Sequence, residues 1–308
     1  MTVDCVVYVS SVLNPRKHPR KIQCLESFAQ GVRAQGGRVV TEWDYKYTPS
    51  RLAVILGWAT TNTGGQNIAL RKQIISEQQR RSARTMCIDA SCWKYLDDSG
   101  TYLRYSLDGP FYDRAEYANH NSTPAKWAEI SQRLNIQLQP PQNNANGHIL
   151  ICVQRDGGFA MKTLDPQIWL QQKISEIRSV TDRTIRIRPH PGKFIMSNFE
   201  SYTRMPGVTV SDPLASRLAD DLQGAHSAVF FNSSASVAAA CAGIPVFADD
   251  SSCVSWAVAN HNISQIETPQ VFDRQQWIYD LAAAHWSDQE AQQGSIYQKF
   301  LPFIKAIP

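Results

Sequence analysis

The chain has 308 residues, of which 43% are hydrophobic and 19% charged, and a net charge of +4. That composition excludes a disordered or low-complexity protein and is sufficient for two domains of about 150 residues. No run of apolar residues is long enough to span a bilayer and the opening residues lack a signal-peptide core, so a cytoplasmic protein without a membrane partner is expected.

Val3–Ser10 is β-branched and predicts a buried strand, followed by the loop Ser11–Arg20 with a first basic cluster. Lys21–Gln35 has Ile22, Leu25, Phe28 and Val32 at helical spacing, stopped by Gly36-Gly37. Arg38–Trp43 and Leu52–Gly57 predict two further strands, and a helix follows the polar loop Thr60–Gln66. Thr85–Asp89 and Tyr102–Leu107 predict strands that end near the carboxylates Asp89 and Asp108. Strands alternating with helices in this order start a Rossmann-like layer arrangement. Lys126–Leu134 reads as helix, and Gln137–Gly147 has the Pro, Asn and Gly content of a linker. A second domain opens with the strand His148–Val153 and the glycine-rich Gln154–Gly158, which fits neither the Walker nor the GxGxxG spacing. Asp165–Val180 and Leu214–Leu222 predict helices, Val208–Val210 a strand, and the tail Asp273–Ile304 two helices with a buried aromatic stripe.

The centre of this half lies between Ile185 and Asp250. IRIRPHPGK (Ile185–Lys193) is a strand that delivers Arg188, His190 and Lys193 to its carboxyl end. AVFFNSSASVAAACAGIPVFADD (Ala228–Asp250) reads as strand, capping turn, small-residue helix, left-handed exit at Gly243 and strand. Ligands of open parallel sheets sit outside the carboxyl ends of the strands. A helix start with free N–H groups and serine hydroxyls favours phosphate there. The two motifs together point to a diphosphate or nucleotide site.

His190-Pro191 followed by Ser233-Ser234 in the C-terminal half resembles the GT-B-type glycosyltransferases, notably bacterial sialyl- and Kdo-type transferases. ILICVQRDGG (Ile149–Gly158), TDRTIRIRPHPG (Thr181–Gly192) and DRQQWIYDLAAAHWSDQE (Asp273–Glu290) are similar to bacteriophage glycosyltransferases that decorate hypermodified DNA bases. The resemblance covers most of the C-terminal half and, more weakly, Ser10–Lys17 and Leu56–Trp58. It implies an α/β protein of two Rossmann-like domains facing a cleft (GT-B-like). The ranges would be 1–140 for the acceptor domain, 141–147 for the linker and 148–290 for the donor domain, with a terminal helix at 291–308 returning to the first domain.

On that resemblance the donor is a nucleotide-sugar, with a UDP-sugar expected, serving as co-substrate without any resident cofactor. Arg155, Gly157, Gly158, Arg188, Lys193, Asn232, Ser233, Ser234 and Asp249 are its expected binding residues, and His190 stabilises or protonates the leaving phosphate. Transfer to a hydroxyl needs a base, for which Asp89 and Asp108 are candidates and Asp44 a further one. The sialyl-type enzymes carry an acidic pair before Gly, whereas this chain has Leu107-Asp108-Gly109. No DxD-like pattern and no zinc-type spacing among the seven cysteines suggests a metal.

Residues 1–147 hold 18 Lys and Arg against 12 Asp and Glu, an excess absent from the remainder. Arg16, Lys17, Arg20, Lys21, Arg71 and Lys72, with Trp58, are therefore the expected contacts to a polyanionic acceptor, which the resemblance implies is double-stranded DNA carrying hydroxymethylated pyrimidines. A solvated helix face explains such clusters equally well. Two other readings stay open: a polysaccharide-building transferase using a CMP-activated acid sugar, and a non-catalytic binding protein of the same shape.

Overall fold

The computed structural model describes residues 4–14, 17–59, 65–93, 101–155, 159–162, 164–192 and 194–305. The chain divides into two compact units, one of residues 1–126 with 279–308 and the other of residues 127–278.

In the first unit β1 (Cys5–Tyr8), α1 (Pro19–Ala34), β2 (Val39–Glu42), β3 (Leu52–Leu56), α2 (Gln66–Arg80), β4 (Arg84–Ala90) and β5 (Tyr102–Leu107) follow in order. β1 to β4 are mutually parallel in the order β2-β1-β3-β4, while β5 runs antiparallel to β4. Alternation along β1 decides the layering: Cys5 and Val7 face Leu25, Phe28 and Val32 of α1, and Val6 and Tyr8 face Leu70 and Ile74 of α2. The two helices thus cover opposite faces of one sheet.

The second unit continues with α3 (Ala125–Leu134), β6 (His148–Cys152), α4 (Pro166–Arg178), β7 (Ile185–Arg188), α5 (Glu200–Thr203), β8 (Val208–Val210), α6 (Leu218–Leu222), β9 (Ala225–Phe230), α7 (Ser236–Cys241) and β10 (Val246–Ala248). Its sheet is parallel throughout the described residues, in the order β10-β9-β6-β7-β8. α4 begins as its sequence suggests, with Asp165 accepting the amides of Gln167 and Ile168 and Pro166 at the first helical position. Gly243 has φ of +80°, and a Cβ there would lie 2.0 Å from the Pro140 carbonyl, so both conformation and space demand glycine. The stretch Gln137–Gly147, read as a linker, lies along this unit: the amides of Gln139 and Gln142 donate to the Cys241 and Gly243 carbonyls at 2.8 Å each. Polar, proline-rich sequence lacks its own hydrogen-bond ladder and borrows one from the α7–β10 turn.

The tail contains α8 (Gln275–Ala283), β11 (His285–Ser287), α9 (Asp288–Gln293) and α10 (Ser295–Lys305). Two helices are expected there, but β11 intervenes and pairs antiparallel with β5 as an edge of the first unit's sheet. Three residues give too short a pattern to read. Buried His285 holds the segment by accepting the Cys92 amide at 2.9 Å, and burial pushes its pKa down to about 3, so the ring stays neutral. α9 crosses α1 so closely that a Cβ on Gly31 would stand 1.9 Å from the Ala291 carbonyl. Ile296, Phe300 and Ile304 of α10 complete the core beneath α1.

Candidate active site

In the second unit β6 and β9 are neighbours, and the chain leaves β6 toward β7 on one side but leaves β9 toward β10 on the other. This is the topological switch point, where the loops at the carboxyl ends diverge and leave a crevice. His190 follows β7 there and lines a pocket of about 130 Å³ with Gln154, Arg155, Asp165, Gln167 and Asn198. Its Nδ1 accepts the Gly192 amide at 2.9 Å, which leaves the proton of a neutral ring on Nε2. The HP loop therefore presents a set tautomer.

Across the switch point the turn after β9 carries Asn232, Ser233 and Ser234. Asn232 and Gln154 exchange two hydrogen bonds, from Gln154 Nε2 to Asn232 Oδ1 at 2.8 Å and from the Asn232 backbone N–H to Gln154 Oε1 at 3.2 Å. Asn232 Nδ2 also donates to the Ala160 carbonyl at 2.9 Å and to Ser252 Oγ at 2.7 Å. Ser252 in turn bonds Asp250, whose other oxygen meets Lys162 Nζ at 2.6 Å. Burial raises the Asp250 pKa, but the bonds from Lys162 and Ser252 outweigh it and hold the carboxyl below its ordinary value. Ser233 Oγ accepts the Ala235 amide at 3.2 Å, a bond local to the turn. Among the described residues α7, whose N-cap is Ala235, has no side-chain cap, and the Ser234 side chain has no hydrogen bond. Sequence reasoning does not single out Gln154, Lys162 or Ser252; only the place of Gln154 at the head of the glycine-rich loop hints at it.

Other expected donor residues fall elsewhere. Arg188 is 9% exposed and its guanidinium is spent on Asp221 of α6, itself 4% exposed, and on Ser216 Oγ and the Ser216 carbonyl, both at 3.0 Å. Arg186 and Arg188 share the α6 face of β7 because strand side chains alternate, so Arg188 points away from a ligand at the strand end. Asp249 is likewise engaged, accepting the Trp169 indole at 2.6 Å and pairing with buried Lys173 at 2.8 Å. Gly157, Gly158 and Lys193 lie outside the described residues, as does Arg16.

In the first unit the two candidate bases separate. Asp89 closes β4 at the carboxyl end of the parallel strands and pairs with buried Arg104 at 2.8 Å, whose guanidinium lies over the Tyr112 and Tyr117 rings. Asp108 ends the antiparallel β5 and therefore sits at the opposite, amino end of those strands. There it accepts the Thr85 amide at 2.9 Å and pairs with Arg84 at 3.0 Å, with φ of +61°. Burial raises its pKa against the pull of Thr85 and Arg84. Asp108 thus locks a turn, at the end of the sheet away from the strand ends where an acceptor base is expected. Arg71, expected at an acceptor, is instead spent within the unit: desolvation lowers its pKa, and it ties the loops after β1 and β3 together through the Ser11 and Trp58 carbonyls, at 3.0 and 3.1 Å. Trp58 contributes its carbonyl to that tie and stays half-buried. Arg20 pairs with Asp288 at 2.5 Å, whereas Lys17, Lys21 and Lys72 are exposed.

No protein-family model matches the chain, and no curated protein does. Solved structures do match. One is Thermosulfurimonas dismutans KpsC, a beta Kdo 2,4 transferase, with 12% identity, a TM-score of 0.56, and coverage of 92% of this chain and 90% of that one. Another is the beta Kdo 2,7 transferase of the same organism's KpsC, with 12% identity, a TM-score of 0.55, and coverage of 96% and 99%. The fold is GT-B-like. At this identity the likeness speaks for the GT-B-like fold alone, which here means α/β with two Rossmann-like units. Among the described residues no helix is long and apolar enough to cross a membrane, and no three His, Cys, Asp or Glu side chains are grouped to hold a metal.

Proposed function

We propose that the chain is a glycosyltransferase that moves a sugar from a nucleotide-sugar donor to a hydroxyl acceptor. The observation that carries this reading is the convergence of the His190 pocket and the Asn232–Ser234 turn on the two sides of one switch point. In the proposed step the bond from the anomeric carbon to the donor phosphate breaks and the bond to the acceptor oxygen forms. The negative charge left on the phosphate is met by the His190 Nε2 proton, whose tautomer the Gly192 amide sets in advance, and by the Ser234 hydroxyl. Asp89 is the proposed base that takes the acceptor proton. The nucleotide-sugar is a co-substrate, with a UDP-sugar the first to try.

Ser234→Ala should weaken nucleotide binding by about tenfold, the value of one hydrogen bond to a charged group, while slowing turnover less. Calorimetry with the folded variant decides it, and unchanged affinity returns the turn to a purely structural part.

The proposed acceptor is the hydroxymethyl group of a modified pyrimidine in phage DNA, on the resemblance in Ile149–Gly158 and Thr181–Gly192. A screen of UDP- and CMP-sugars against hydroxymethylated duplex DNA, read by product mass, tests it. Lys17 and Lys21 are exposed and stand at the start of α1, so replacing both with Glu should weaken duplex binding. The salt slope should flatten by about 0.9 for each phosphate that the variant no longer neutralises. Donor hydrolysis should not change.

A second reading has an observation of its own. α1 and α2 cover opposite faces of their sheet, and Arg20, Arg71, Arg80 and Arg84 are already engaged within the unit, so the basic excess does not form one phosphate-binding stripe. That favours a polysaccharide acceptor and a CMP-activated acid sugar, in keeping with the Kdo transferases of like fold. Failure to bind either modified or plain DNA at low salt would give this reading first place.

A further inference from the structure

We infer that Gln154 is a positioning residue, whose side chain clasps Asn232 and so sets the Ser233-Ser234 turn against the His190 pocket. The inference rests on the donor-site reading above and adds a residue to it.

Three observations carry it. The bond pair between Gln154 and Asn232 is reciprocal, 2.8 Å in one direction and 3.2 Å in the other, and it spans the two strands between which the chain reverses. Gln154 also lines the pocket that His190 lines, so one residue borders both parts of the site. Asn232 is 7% exposed and every polar atom of its amide has a partner, with Nδ2 committed to the Ala160 carbonyl and Ser252 Oγ. Turning that amide over would set Nδ2 against Gln154 Nε2, donor against donor. The orientation of the turn is therefore dictated from the β6 side. Only a side chain with a donor and an acceptor at one tip can close this clasp. Removal of either bond frees the turn that carries Ser233 and Ser234, at the place where preorganisation matters for a phosphate.

The test uses the full chain and calorimetric titration with UDP and with CMP. Gln154→Met keeps length and apolar volume but has neither bond, and the nucleotide that binds the parent should bind it about tenfold more weakly. Gln154→Glu supplies the discriminating contrast. An ionised carboxylate faces Asn232 Oδ1 with no proton to give, so at neutral pH this variant should bind no better than the Met variant. The protonated acid has the donor and acceptor of the parent amide. At about pH 4.5, close to the ordinary glutamate value, roughly half of these side chains are protonated, and the variant should bind more tightly than the Met variant at that same pH. Met and the neutral acid are uncharged and similar in size, so the difference between them reads hydrogen bonding alone. A part played only in stability would move the melting temperatures and leave both affinities at the parent's value. Parent-like binding by Gln154→Met overturns the clasp, as does a Gln154→Glu variant that never exceeds the Met variant. A parent that binds neither UDP nor CMP removes the donor-site reading itself, and the clasp with it.

Discussion

His190→Ala is expected to lower sugar transfer by at least about 100-fold, the usual cost of removing a group that donates a proton or stabilises charge in the transition state. The fold should survive. His190 is half-buried in a loop, and its described hydrogen bond to the Gly192 amide is local to that loop. His190→Asn offers a check on that point, since a short amide can still accept a nearby amide proton. Both variants should melt close to the parent and both should be slow. Transfer within a few-fold of the parent in a folded His190→Ala protein would take His190 out of the mechanism.

Asp221→Ala should cost the second unit about 3–5 kcal/mol, because it strands a buried guanidinium without its counter-charge. Arg188 has almost no access to water at that position, and the Ser216 oxygens satisfy its donors without neutralising it. Arg186 approaches the same carboxylate at 3.8 Å and loses its partner too. Denaturant titration followed by a probe in the second unit measures the loss. Combining Asp221→Ala with Arg188→Met should recover a large part of it, since an apolar side chain of similar length removes the stranded charge. A single-variant loss below about 1 kcal/mol would mean that solvent reaches Arg188 and that the pair is a surface ion pair in effect.

The fate of Arg188 also shows where sequence reading stops. The strand, the small-residue helix and the Gly243 exit are local patterns and form where their residues predict, whereas the serines before the helix make a turn bond and do not cap it. A basic residue two places before a His in a ligand loop suggests a ligand. Its true partner lies 33 residues on, in the short α6, and nothing in the Leu218–Leu222 segment marks Asp221 as buried. Asp108 misleads for a different reason. An alternating strand has the same pattern in either direction, so Tyr102–Leu107 cannot disclose that β5 runs backward and carries its last residue to the wrong end of the sheet. The Gln154–Asn232 pair joins residues 78 apart through amides, which have no sequence signature of pairing. Local chemistry is legible; partners chosen by topology are not.

The return of the tail to the first unit has a consequence for how the protein is made. β5 acquires its second neighbour, α1 its close packing on α9, and the Phe28–Tyr105 core its Phe300 cover only from residues beyond the whole second unit. At ordinary rates of synthesis the ribosome spends roughly ten to thirty seconds on residues 127–278. Through that interval the first unit has an open strand edge and an uncovered apolar face, while the second, contiguous unit has everything it needs to fold. The part made first is the part finished last, and a nascent chain stalled before His285 would expose the surfaces that holdase chaperones grip.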